Sequence, residues 1–178
     1  TQAKWNTRRM LGDLGHDSIS SVFTICDFDH AGREINRKGL LKINDKRSLA
    51  KVKTAYYAVQ NVVSVFDNNL VRQKDYSCTI QCEQPITWFA YRNEASGCDV
   101  LVFWNGTTFP LDDNDTLPAT ITVEGGKYSD PVWIDLISGR IHEIPEKCRK
   151  LASGKMVLVK IPTYDSPVVI ADRKVVLK

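Results

Sequence analysis

Ser20-Ser21-Val22-Phe23-Thr24-Ile25-Cys26-Asp27-Phe28-Asp29-His30 is the stretch on which the fold turns. From Val22 to Cys26 it carries no charge and is β-branched or aromatic at most positions, the composition of a strand buried on both faces. Acidic and imidazole groups gather at its C-terminal end, where α/β folds place their sites. The pattern predicts a parallel-type strand over 21–27.

Outward from it, both flanks read as helix. Ala3, Trp5, Met10, Leu11 and Leu14 lie among Lys4, Arg8, Arg9 and Asp13 at spacings that predict an amphipathic helix from Gln2 to Leu14, with Gly15 as its C-cap. Tyr56, Val59, Val63 and Phe66 predict a second helix from Thr54 to Phe66, capped by Thr54. The long connection holds Gly32 and Gly39, and Gly39-Leu40-Leu41-Lys42-Ile43 is expected to form a short extended piece. One parallel-type strand between two helices makes no sheet and has no complete core. Either it joins a sheet further along, or it belongs to a larger sheet and the chain is a fragment.

Beyond Asp67 the rhythm changes. Short alternating or β-branched runs predict strands near 76–83, 86–92, 99–105, 119–124, 131–137, 140–144, 155–162 and 167–171, with a last one near 174–178. Glu94-Ala95-Ser96-Gly97, Asp112-Asp113-Asn114-Asp115, Gly125-Gly126 and Ser138-Gly139 supply the turns. The expected fold is therefore mainly β, with a C-terminal antiparallel β-sandwich over 75–178 preceded by a helix-strand-helix unit over 1–74.

Composition narrows the function classes. In 178 residues, 43% hydrophobic and 25% charged content are those of a globular protein. No apolar run approaches the ~20 residues of a membrane helix, so no membrane partner is expected. The N-terminus has neither an initiator Met nor a signal-peptide core, which points to a start inside a longer product and assigns no compartment. The net charge of +3 is spread without a dense basic stripe, so nucleic acid is not an expected partner. The densest basic stretch, Arg33 to Lys53, reads as a solvated loop or an anion patch. The five cysteines lack a Cys-x-x-Cys spacing. On one strand Cys78 and Cys82 would stand ~13 Å apart, too far to pair with each other, leaving small buried hydrophobes or a bridge from one of them to Cys98.

Gln2-Ala3-Lys4-Trp5 through Leu14, Phe23-Thr24-Ile25-Cys26-Asp27, Gly39-Leu40-Leu41 and Ala55-Tyr56-Tyr57-Ala58-Val59-Gln60-Asn61 together resemble the closing stretch of a clan A glycoside hydrolase (β/α)8 barrel: helix 7, strand 8, a Gly-Leu-Leu loop and the final helix. Asp130-Pro131-Val132-Trp133-Ile134-Asp135-Leu136-Ile137-Ser138-Gly139-Arg140-Ile141 and Tyr164-Asp165-Ser166-Pro167-Val168-Val169-Ile170-Ala171 resemble the β-sandwich often appended to such barrels. The resemblance implies the C-terminal portion of a retaining enzyme acting on O-glycosidic bonds, whose partners are a carbohydrate substrate and the remainder of the barrel. Its acid/base and nucleophile, carboxylates at the ends of strands 4 and 7, would precede Thr1. No catalytic residue is thus assigned to this chain, and neither Asp27 nor Glu34 is promoted to fill the vacancy. Where many relatives carry a sugar-stacking aromatic at the end of strand 8, this chain has Cys26-Asp27.

Asp27, Asp29, His30, Arg33 and Glu34 follow the predicted strand end and would rim a sugar cleft, since carboxylates accept from hydroxyls while Arg and His donate. Loop-stabilising ion pairs are the equal alternative. Asp27, Asp29 and His30 offer metal-ligand types without a fourth, so no metal or other cofactor is assigned. His16, His30 and His142 lack a Gly-x-Ser-x-Gly elbow, which argues against a nucleophilic triad. In Trp88-Phe89 and Phe103-Trp104 the period-2 rule sends one aromatic to a core and leaves the other for core packing, the interface with the barrel or a sugar-stacking platform. That motivates the alternative function, a stand-alone carbohydrate-binding or structural β-sandwich module.

Overall fold

The computed structural model describes residues 1–28, 36–106, 109–152 and 154–176. In chain order the elements are α1 (Gln2–Gly15), β1 (Leu41–Ile43), β2 (Leu49–Val52), α2 (Thr54–Val65), β3 (Leu70–Arg72), β4 (Cys78–Gln81), β5 (Ile86–Asn93), β6 (Asp99–Asn105), β7 (Leu117–Glu124), β8 (Pro131–Asp135), β9 (Arg140–Glu143), β10 (Arg149–Ala152), β11 (Lys155–Thr163), β12 (Val168–Asp172) and the one-turn α3 (Arg173–Val176). The fold is mainly β, with every sheet antiparallel: a β1-β2 hairpin, a four-stranded sheet in the order β10-β11-β7-β4, and a six-stranded sheet in the order β3-β5-β6-β12-β8-β9.

The six-stranded sheet is covered on both faces, as the uniformly buried β6 and β12 require. On one face Leu11 of α1 and Val62 and Val65 of α2 join Phe89, Val100, Val102, Trp104, Ile134 and Val169 in a single core. On the other, Leu101, Phe103, Val168 and Ile170 pack with Ile121 and Val123 of β7 and Met156 and Leu158 of β11. The aromatic pairs therefore split between two cores: Phe89 and Trp104 lie under the helices, while Phe103 and the half-buried Trp88 face the four-stranded sheet. No member of either pair is left as a free platform. Of the alternatives, core packing is the one these pairs take, because both faces of the sheet are covered. A third, smaller core of Ala3, Leu40, Ala55 and Ala58, with Val22, Val59 and Ile137 against it, lies where α1 and α2 meet. Its alanines let the two helices approach closely.

Several local expectations are corrected. Residues 22–26 form no strand and, among the described residues, join no sheet. Among the described residues they bridge only to Leu41, in parallel, through the Leu40 N–H on the Thr24 carbonyl and the Leu41 N–H on the Ile25 carbonyl. With a strand on one side only, alternate side chains go to water, and Phe23 (65%) and Ile25 (64%) are exposed rather than buried. Gly15 closes α1 and His16 follows as the cap. Gly15 lies so near Phe89 that a Cβ there would sit 2.5 Å from its ring, so this glycine serves packing and not chain reversal. Thr54 is already helical, and Lys53 before it gives α2 no side-chain cap. Of the strand expected at 174–178, residues 174–176 turn as part of α3 and 177–178 lie outside the described residues, and the short strands β2, β3 and β10 form where no strand is expected.

Candidate functional site

The C-terminal end of the 22–27 segment is held by one carboxylate. Asp27 is 4% exposed, and its Oδ1 accepts from the Lys53 ammonium at 2.6 Å and from the Gly39 N–H at 3.0 Å. Lys53 also donates to the Arg37 carbonyl at 2.8 Å. One ammonium thereby ties together the segment's end, the loop before β1 and the start of α2. Gly39 is demanded here, because a Cβ at this position would collide with the backbone of Cys26 and Asp27. Asp27 thus makes the loop-stabilising ion pair that was one of its two alternatives. Asp29, His30, Arg33 and Glu34 lie outside the described residues.

The far side of Lys53 faces a cavity of about 480 Å³ walled by Gln2 of α1, by Lys42 and Lys51 of the β1-β2 hairpin, by Thr54 and Ala55 at the start of α2, and by Asp112. The Thr1 hydroxyl donates to Asp112 Oδ1 at the edge of this cavity. Beside the cavity, the buried Lys4 donates to Asp165 Oδ1 at 2.6 Å and to the Asp113 carbonyl, with its ammonium 5.3 Å from the centre of the Tyr164 ring. Asp165 Oδ2 accepts from the Leu111 N–H at 2.7 Å. This pair clamps the first turn of α1 to the loops around 111–113 and 163–166. Asn61, within the Ala55–Asn61 stretch, donates to the Leu136 carbonyl at 3.0 Å and abuts Gly139. Two of the stretches that carry the family resemblance are thereby in direct contact.

Sequence reasoning missed Lys4, Lys53 and Asn61. A lysine on an amphipathic helix reads as solvated, and nothing local marks a carboxylate 161 residues away as its partner. Among the described residues no three His, Cys, Asp or Glu side chains cluster as metal ligands, and no helix is long and apolar enough to cross a membrane. All five cysteines are free thiols, so the bridge to Cys98 does not form. Burial pushes the Cys78 thiol up to about 12, which makes it a poor nucleophile. What the residues around the cavity offer a ligand is hydrogen-bond donors and positive charge. No protein family, curated protein or solved structure matches this chain.

Proposed function

We propose that this chain is the C-terminal portion of a glycoside hydrolase acting on O-glycosidic bonds: the last helix-strand-helix of a (β/α)8 barrel and an appended β-sandwich, with acid/base and nucleophile supplied by residues outside the chain. The observation that carries the reading is the segment Val22–Cys26. In chain order it lies between two helices that pack on each other, among the described residues it is bonded along one edge to residues 40–41, and it leaves Phe23 and Ile25 exposed. A free-standing fold avoids presenting an apolar strand with one partner, whereas the final strand of a barrel cut from its neighbours has that form. The sandwich half of the proposal rests on the core shared by β5, β6 and β12 with β7 and β11. The binding-module alternative has lost the free aromatics that motivated it.

A panel of para-nitrophenyl glycosides, assayed on the 178-residue chain and on a longer product containing it, tests this. Turnover is expected from the longer product alone, with a fluorinated glycosyl trapping reagent labelling a carboxylate outside the chain. Labelling of a carboxylate within the chain, or an inert longer product, overturns the proposal.

A further inference from the structure

The β1-β2 hairpin carries a feature that its own stability argues against. Its register sets Lys42 directly opposite Lys51, and both line the cavity described above. Like charges opposed on neighbouring strands repel. Among the described residues neither lysine has an ion-pair partner, whereas Lys4 and Lys53, which line the same cavity, are each committed to a carboxylate. Among the described residues Asp112 is the one carboxylate of the lining, so Lys42 and Lys51 leave the cavity with an excess of positive charge. The start of α2 adds to the same sign: Thr54 and Ala55 line the cavity, the helix has no side-chain cap, and its first turn holds no acidic residue. Two exposed ammonium groups without an ion-pair partner, a hydroxyl and an uncapped helix end around a space of about 480 Å³ form a donor-rich bowl of monosaccharide size with an excess of positive charge.

We propose that this cavity binds an oxyanion on a small polar molecule, a carboxylate, sulfate or phosphate group seated between the Lys42 and Lys51 ammonium groups. The anion relieves the repulsion across the hairpin, and binding requires only residues of this chain, so the proposal stands or falls independently of the glycosidase reading.

Calorimetric titration with sodium glucuronate, sodium sulfate and sodium phosphate, each at constant ionic strength set with chloride, tests it on the chain and on a longer product containing it. Saturable binding of at least one is expected. The variant K51E gives the hairpin a cross-strand ion pair, so its Tm is not lowered while affinity falls about tenfold or more. Lys42→Met, which adds no new charge, also weakens binding. K150E, with the same change in net charge on the exposed outer strand β10, leaves affinity within about twofold. Preference for glucuronate identifies a sugar acid as the source, and preference for sulfate or phosphate an ester or free ion. Absence of saturable binding to all three, or equal weakening by K51E and K150E, overturns the proposal.

Discussion

Asp172 ends β12 fully buried, yet its carboxyl is held below the ordinary carboxylate value. Burial alone pushes it up; the Asp130 and Ser129 N–H groups, the Ser129 hydroxyl and the Lys174 N–H outweigh burial by donating to it at 2.6–3.1 Å. A carboxyl lowered in this way contributes stability that is complete above the unfolded-state value of about 3.9 and is lost as pH falls through the lower folded value. Asp172→Asn puts an amide donor against backbone donors and should cost about 2–3 kcal/mol at neutral pH. Urea unfolding at about pH 7 and about pH 3 should find a smaller gap between variant and wild type at the acid end; an equal gap at both would refute the assignment. Charge roles of this kind were illegible in sequence. Asp27 stood out by its place after an apolar run, but that its partner is Lys53 depends on how the intervening loop returns.

The elements themselves were mostly legible. Periodicity placed α1 and α2 within a residue or two, and the strands from β4 to β9 and β11 to β12 in order, because in all but the exposed β9 apolar residues meet a packed surface at the expected period. The failures share a cause in what lies opposite. β3 and β10 are short edge strands whose pairing is decided by a neighbour rather than by their own composition. Residues 22–26 have the makeup of a buried strand and receive only one partner. That partner's approach depends on Gly39, whose missing Cβ admits the backbone of Cys26 and Asp27. Gly39→Ala should cost about 2–3 kcal/mol, since backbone cannot swing aside as a side chain can. Amide exchange at Asp27 and Leu41 should accelerate more than elsewhere, because both N–H groups belong to this pairing. An unchanged unfolding midpoint would remove the structural reason for glycine here.

At the scale of the molecule, the six-stranded sheet is the layer against which everything else is built, with the four-stranded sheet on one face and α1, α2 and α3 on the other. Apart from the small core of Ala3, Leu40, Ala55 and Ala58 between them, the helices therefore rest on the sheet. Their largest buried contribution, Leu11, packs into the cluster that contains Val100, Val102 and Trp104 of β6 and Val169 of β12. Leu11→Ala opens a cavity in that shared cluster and should cost about 3 kcal/mol. If the core is one cooperative unit, the loss must be felt across the sheet and not only in α1. Amide exchange in β12, the central strand bonded on both sides to β6 and β8, should then lose as much opening free energy as exchange in α1, with unfolding by far-ultraviolet circular dichroism and by tryptophan fluorescence remaining coincident. Unchanged protection in β12 beside faster exchange in α1 would mean that residues before about 75 unfold as a separate unit docked on the sheets. The exposed Phe23 and Ile25 would then belong to a body whose own core is completed by strands from outside this chain.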